Sequence, residues 1–221
     1  MHHLKNLHLG VYGGFGATGS LDTGLGVTGA LSFTRHNYET SRLLNAGAVT
    51  RTAIADYAGT SLSGQLRGRY GMDVDLSGMN LVVSPLLGVD LGSTRNNAFT
   101  ETGAGGLNIT AQASSTRSLK SVVGLEVGQE LQLGEASAIG SLSLEWHREF
   151  GDTFQTTSMK LAGSPTQFNT VSAVQSRDNF TLGGSLNVDV TDQLSISFNG
   201  AGTLSKTSRS ASGSFVARFE F

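Results

Sequence analysis

The sequence predicts an all-β fold, an antiparallel up-and-down transmembrane β-barrel of the outer-membrane type. Three observations indicate this fold class. Apolar and polar residues alternate with period two along almost the whole chain, several alternating segments are long enough to cross a bilayer, and long connections alternate with short ones. Because successive side chains of a strand point to opposite faces, each predicted strand has one apolar face and one polar face.

The composition limits the class of protein. The 221 residues are 38% hydrophobic and 14% charged, and they include 30 Gly, 2 Pro and no Cys. The charged fraction is well below the roughly one quarter that is usual for soluble proteins. A formal net charge of -2 with scattered Lys and Arg residues disfavours a nucleic-acid partner. Without Cys there is no disulfide framework and no thiolate metal site, and we expect no metal or other cofactor.

The alternation is clearest in "SLKSVVGLEVGQELQLG", "GSLSLEWHREF" and "FTLGGSLNVDV". Several such segments exceed the usual strand length of about 5–6 residues and reach the roughly 9–11 residues that a tilted transmembrane strand needs. We predict about nine strands, near residues 8–18, 24–38, 58–73, 79–94, 113–132, 137–150, 178–190, 193–204 and 210–221.

The connections between these strands alternate in length. The short ones are "GSLDT", "DLSG", "GEAS" and "TD", the long ones are "ETSRLLNAGAVTRTAIADY", "RNNAFTETGAGGLNITA" and the segment 151–177, and a medium "SKTSR" follows. All long connections therefore fall on one side of the sheet, as in outer-membrane barrels. The segment 151–177 has room for an additional strand around "TSMKLAG". Pro85 lies on an apolar face, where we expect a bulge or a local break.

The two faces meet different surroundings in a membrane barrel. The apolar faces contact the lipid bilayer, while the polar faces, rich in Gly, Ser, Thr and Asn, line the lumen. We predict that the lumen is lined by Arg67, Arg69, Glu126, Glu145 and Glu149. We predict that the interface aromatics include Tyr70, Trp146 and Phe150, which lie near strand ends.

Catalysis is the main functional alternative, because a rim hydrolase is also compatible with an outer-membrane barrel. The chain lacks a G-x-S-x-G nucleophile elbow, and His147 is the one histidine beyond residue 36. Glu145 and Glu149 flank His147 on one face, where a charge network with Arg67, Arg69 or Lys120 is the simpler interpretation. We therefore predict that the chain is not an enzyme. A stand-alone small outer-membrane barrel and a soluble β-sandwich adhesin would also produce alternating strands.

The chain resembles the C-terminal translocator domain of bacterial autotransporters, the β-barrel of type V secretion. The resemblance rests on "YETSRLLNAG", "FTETGAGGLNIT", "SLEWHREFGDT", "RDNFTLGGSLNVDVTDQLSISFNGAG" and the final "SFVARFEF", in this order over essentially the whole chain. The family pattern of tryptophan, any residue, histidine, glutamate, phenylalanine and glycine is matched from Trp146 to Gly151, but Arg148 occupies the histidine position.

The resemblance implies a function and a location. A protein of this kind lies in the bacterial outer membrane, anchors itself there and conducts its own N-terminal passenger to the cell surface. Its last strand is read by the outer-membrane barrel assembly machinery as an alternating segment that ends in an aromatic residue. Gly213, Phe215, Phe219 and Phe221 match that assembly signal. An exposed last strand also offers unpaired backbone groups to a receptor strand.

In the family that this chain resembles, the barrel has twelve strands, a helical linker runs through its pore, and the passenger lies N-terminal to the barrel. We therefore expect residues 1–221 to be the C-terminal portion of an autotransporter β-barrel domain that lacks the passenger, the linker and the first strands. The alternative is an even-numbered smaller barrel that closes by itself, since open sheet edges are unfavourable in lipid.

Overall fold

The computed structural model describes residues 5–46, 49–134 and 136–220. Within these ranges the chain forms strands and one short 3-10 helix, Gly105–Leu107. The strands are β1 (Lys5–Gly16), β2 (Gly24–Ala46), β3 (Val49–Leu76), β4 (Met79–Asn96), β5 (Phe99–Thr100), β6 (Ile109–Ala111), β7 (Ser114–Leu133), β8 (Ala136–Glu149), β9 (Thr156–Leu161), β10 (Gln167–Val171), β11 (Asp178–Thr191), β12 (Leu194–Ser205) and β13 (Arg209–Phe219). A search of the described residues finds no helix that is long and apolar enough to cross a membrane.

Nine of these strands form one antiparallel sheet in the order β1-β2-β3-β4-β7-β8-β11-β12-β13. Neighbours in the sheet follow each other along the chain once the long connections are set aside, so the topology is up-and-down as predicted. All nine predicted strands are present. Across the described residues β1 and β13 do not pair with each other, so the alternative of a smaller, even-numbered barrel that closes by itself is not favoured.

The sheet is curved. Arg69 of β3 reaches Glu126 of β7 although β4 lies between these strands, and His147 of β8 reaches Asp90 of β4 across β7. Side chains of non-neighbouring strands approach each other in this way on the inside of a bend. The polar face is therefore concave. The convex face carries large apolar side chains that are about half exposed, such as Leu87, Leu91 and Leu142.

The first long connection is the largest difference from the sequence prediction. Instead of a loop, "ETSRLLNAGAVTRTAIADY" continues the hairpin, and β2 and β3 stay paired from Gly24↔Gly71 to Ala46↔Val49. The prediction was wrong because this segment has little contrast between apolar and polar faces. Its Thr, Val and Ile residues nevertheless favour extended backbone through their β-branched side chains.

The other two long connections build a second, four-stranded sheet in the order β10-β9-β6-β5. β9 contains the "TSMKL" of the predicted additional strand, but it pairs with β10 and β6 instead of joining the main sheet. A bridge between Ile54 and Thr102 attaches this second sheet to the extended hairpin. Small side chains are buried there and form a small core, namely Ala53, Ala55, Ala104 and Ala111.

An ion pair reinforces this attachment. The Arg42 guanidinium of β2 donates from Nε and Nη2 to the two carboxylate oxygens of Glu101, and from Nη2 to the Leu107 carbonyl at 3.0 Å. Glu101 also accepts a hydrogen bond from the Ile109 backbone N–H at 2.7 Å. These contacts stabilise the ionised carboxylate, and the Arg42 hydrogen bond is the main reason why the pKa of Glu101 is lowered from 4.5.

Pro85 interrupts one of the two ladders of β4. Pairing with β3 runs to Arg69↔Leu86 and resumes at Met72↔Val83, whereas pairing with β7 continues through Pro85↔Leu125. Proline has no N–H to donate, so the break is confined to one edge of the strand. The predicted local break is confirmed.

We expect the attachment of the second sheet to weaken in acid. A carboxyl group with a lowered pKa in the folded state contributes stability at neutral pH, and this contribution is lost as the pH falls below 4.5 through the lower folded value. The hydrogen-exchange protection factors of amides 99–111, which correct for the slower intrinsic exchange in acid, should therefore fall several-fold on acidification. Glu101→Gln should show low protection factors at both pH values, and the exposed Asp192→Asn should behave as wild type. Equal acid sensitivity in Glu101→Gln would contradict this assignment.

Candidate functional site: the polar concave face

The centre of the concave face is a chain of charged side chains that crosses β3, β4 and β8. Arg67 binds Asp90 in a bidentate manner, with Nη1 to Oδ1 at 2.7 Å and Nη2 to Oδ2 at 3.1 Å. Asp90 Oδ2 lies 3.7 Å from His147 Nδ1, and His147 Nε2 lies 2.9 Å from Glu145 Oε2. The alternation of each strand places these four side chains on the same face. The pairing register between neighbouring strands then brings the four side chains within contact distance of one another.

A second group of contacts is centred on Arg69. Its Nη1 lies 3.7 Å from Glu126 Oε2 of β7, and its Nη2 donates to the hydroxyl of Ser84. Nη1 also donates to the backbone carbonyl of Thr18 at 3.3 Å. Ser84 is only 1% exposed, so Arg69 satisfies a hydroxyl that has lost its water. The guanidinium thus connects β3, β4, β7 and the turn after β1.

Glu149 lies on the same face but has a different kind of partner. It is 6% exposed and accepts hydrogen bonds from the backbone N–H groups of Leu119 and Gly151 and from the hydroxyl of Ser118. In the described chain no Lys or Arg forms an ion pair with it, so the expected network of Glu149 with Arg67, Arg69 or Lys120 is not formed. Glu149 instead fixes the end of the β7–β8 hairpin and the start of the following connection.

His147 is held between two carboxylates. The described residues place no Ser or Thr hydroxyl within hydrogen-bond distance of its ring, whose contacts are with Asp90 and Glu145. Catalysis by a serine or threonine nucleophile requires such a hydroxyl beside the base. The geometry favours the predicted charge network over the rim hydrolase.

The turn at residues 17–23 folds over the concave face at the short-turn end. The Asp22 carboxylate accepts a hydrogen bond from Gly19 N at 2.7 Å, which closes the turn. The turn backbone passes so close to β3 and β7 that a Cβ on Gly71 would collide with the Asp22 carbonyl, and a Cβ on Gly128 with the Ser20 carbonyl. Glycine at these two positions therefore leaves space for the turn. This turn covers part of the concave face at its short-turn end.

The long-loop end of the concave face is partly covered by residues 172–177. Gln175 N donates to the Thr153 carbonyl at 2.8 Å, and Ser176 N donates to Thr207 Oγ1 at 3.1 Å. Arg177 donates to the carbonyls of Glu149 and Gly151. Between this segment and the sheet lies an open, polar cavity of about 570 Å³, which is lined by Asp90, Lys120, His147, Asn179 and Thr203 among others.

The predicted aromatic and terminal residues lie mainly on the convex face. Tyr70, Trp146 and Phe150 are 53%, 37% and 57% exposed, and Trp146 Nε1 donates to Asp178 at 3.1 Å. On β13, Phe215 and Phe219 share the convex face with Gly213, and the Phe215 ring lies 5.1 Å from that of Phe198 of β12. Phe221 lies outside the described residues.

Sequence reasoning found the arginines and glutamates of the concave face but missed several of their partners. Asp90 and His147 were visible as polar-face residues, yet their contact depends on register across an intervening strand. Ser84 gave no signal beyond its position before Pro85. The role of the Thr18 carbonyl could not be predicted, because any residue supplies that group.

Comparison with known proteins gives a consistent result. The family model for the autotransporter beta-domain matches residues 2–201. The solved structure of the translocator domain of the autotransporter NalP from Neisseria meningitidis is similar, with a TM-score of 0.61 and 18% sequence identity. The similarity covers 100% of this chain and 68% of the NalP chain. No curated protein sequence matches the chain at a significant level.

Loss of the Arg67 contact should destabilise the sheet. Both partners are about three-quarters buried, so Arg67→Gln should lower the free energy of unfolding in detergent by about 1–2 kcal/mol. The swap Arg67→Asp with Asp90→Arg should recover part of this loss. Arg218→Gln is the matched control, because Arg218 also lies on the concave face but forms no ion pair with any described residue. Urea unfolding measures all three, and an unchanged midpoint for Arg67→Gln would argue against the network.

Proposed function

The chain belongs to the autotransporter beta-domain family, and on that basis we propose that it is the outer-membrane translocator for a passenger carried by the same protein. Its place is the bacterial outer membrane, as membership of this family indicates. The observation that supports the proposal best is the division of the main sheet into two chemically distinct faces. One is apolar and convex, and the other is polar and concave.

The polar face is suited to a conduit. Some of its charges are paired with one another, as in Arg67 with Asp90 and Arg69 with Glu126, so a passing polypeptide meets hydroxyl groups, amides and paired ions. Such a lining offers hydrogen bonds to an extended chain. The residues that would line or support this conduit are Arg67, Arg69, Glu126, Glu145 and Glu149.

The family of this chain is not an enzyme family. We propose further that this member has no catalytic activity, since the described contacts of His147 leave no nucleophile beside the base. Its partners would be the passenger segment in the concave face, the bilayer on the convex face, and the barrel assembly machinery at β13. Tyr70, Trp146 and Phe150 would lie at the bilayer interfaces.

Surface display tests the translocator role. In the longer autotransporter chain of which we propose residues 1–221 to be the C-terminal portion, an epitope is inserted N-terminal to the β-barrel domain, and the protein is expressed with a secretion signal in a Gram-negative host. We expect the epitope to be digested by protease added to intact cells. The matched control deletes residues 209–220, which removes β13, and should leave the epitope protected until the cells are lysed. An epitope that stays protected although the intact chain is found in the outer membrane would refute translocation.

The assembly role of the last strand is tested separately. Phe215→Ala with Phe219→Ala should reduce the amount of heat-modifiable protein in the outer membrane several-fold, because both rings belong to the proposed signal on β13. Phe180→Ala is the control, since this phenylalanine is 50% exposed on the convex face of β11 and its truncation also removes apolar area there. An equal defect in both variants would indicate lost lipid contact only.

A further inference from the structure

Within the described residues, the convex face carries five arginines, and all of them lie at the long-loop end of their strands. Arg35 follows Leu31 and Phe33 at alternate positions of β2, and Arg95 follows Leu91 in the same way on β4. The complete set, one from each of five strands, is Arg35 of β2, Arg95 of β4, Arg117 of β7, Arg148 of β8 and Arg209 of β13. At the short-turn ends, the described convex positions include Leu76, Met79 and Phe219 but no Lys or Arg.

The strand register places these arginines in a band that descends toward the short turns from β2 to β13. Arg35 and Arg95 both oppose Thr60 and share a row. Arg117 opposes Ser93 of β4, which is two residues nearer the short turns than Arg95. Arg148 opposes Ser121 of β7, which in turn opposes Val89 of β4, six residues nearer the short turns than Arg95. Successive paired residues lead from Arg209 across the sheet to β4, through Leu204, Phe180, Trp146, Val123 and Leu87. Leu87 is eight residues nearer the short turns than Arg95 (95 minus 87).

This incline matches the tilt of strands in a membrane barrel. From β2 to β13 there are seven strand intervals. At ~4.8 Å per interval and ~3.3 Å per residue, a descent of eight residues corresponds to an angle of about 38°. Strands of outer-membrane barrels tilt by roughly 35–45° from the membrane normal. Once the strands are tilted, the arginines therefore lie in a band about 10 Å high at the edge of the apolar face, at ~3.3 Å per residue.

In the described chain, four of the five guanidinium groups lack a protein partner. Arg148 forms an ion pair with Asp178 at 3.2 Å. Across the part of the chain that the structure describes, the side chains of Arg35, Arg95, Arg117 and Arg209 form neither an ion pair nor a hydrogen bond, and all are exposed. Glu39 and Asp56 are carboxylates of the convex face that oppose each other. They lie four residues from Arg35 (39 minus 35) in the direction away from the apolar side chains.

We propose that this arginine belt binds the phosphate groups of phosphorylated lipid in the leaflet on the long-loop side. Guanidinium groups bind phosphate oxygens in a bidentate manner. Phe33, Trp146 and Phe180 lie next to the belt on its apolar side, at the level where aromatic side chains contact lipid headgroups. The position of the belt at the edge of the apolar face, together with its four guanidinium groups that form no ion pair with a described residue, favours an anionic headgroup over a soluble protein partner.

Trp146 provides a direct readout, because it is the only tryptophan and shares a row with Arg209. The refolded 221-residue chain in neutral detergent is titrated with micelles that contain lipid A, which carries two phosphates. Parallel titrations use phosphatidylcholine, which has no net charge, and inorganic phosphate alone. We expect a saturable change in Trp146 fluorescence with lipid A and no change in the other two titrations.

Two triple variants with equal loss of charge decide the assignment. Arg35→Gln, Arg95→Gln and Arg117→Gln together should weaken lipid A binding by on the order of tenfold to a hundredfold. Lys120→Gln, Lys160→Gln and Arg218→Gln together, which lie off the convex face, should bind as wild type. Arg→Lys at the same three belt positions keeps the charge and should give an intermediate affinity, and it serves if the Gln variant does not refold.

Three results would overturn the proposal. The belt variants could bind lipid A as tightly as wild type, or the off-face variant could lose as much affinity as the belt variant, which would indicate a non-specific charge effect. A response to inorganic phosphate equal to that of lipid A would indicate a free-anion site instead of a lipid site. Because none of these titrations involves a passenger, they are independent of the translocation assay.

Discussion

Continuous antiparallel backbone pairing is the constraint on which the rest of the structure depends. In the main sheet each strand is held by its neighbours along most of its length, from Lys5↔Asn37 in the first pair to Leu194↔Phe219 in the last. Side chains alternate between the two faces, so a slip of one residue in any strand would exchange its apolar and polar faces. In hydrocarbon the same pairing is needed to satisfy the backbone N–H and C=O groups.

The polar concave face shows what this register achieves. The contact of His147 with Asp90 joins two strands that are not neighbours, and that of Arg69 with Glu126 does the same one layer closer to the short turns. Such contacts require both a correct register and a curved sheet. They also bring acidic and basic groups together, so several charges of this face have a partner of opposite sign within the protein.

The sequence was sufficient for the main sheet but not for its surroundings. Strands such as β7 and β8 were predicted because Leu, Val and Trp alternate with polar residues, and lipid on one side makes that contrast strong. The extension of β2 and β3 beyond residue 38 was missed because this segment has little contrast between an apolar and a polar face. Within the site, Arg67 and Glu126 were predicted from their positions on the polar faces of alternating strands, whereas the backbone partners of Glu149 depend on a three-dimensional fit that the alternation does not encode.

The two ends of the sheet are built for different surroundings. At the short-turn end the chain folds inward over Gly71 and Gly128, and convex positions stay apolar up to Leu76 and Met79. At the other end the connections form a separate sheet that Arg42 and Glu101 attach to the β2–β3 hairpin. The arginine belt lies between that second sheet and the apolar face, where water gives way to lipid. An anionic lipid that is present in one leaflet only accounts for cations that are confined to one end, since a bilayer with two like leaflets would favour a similar belt at both.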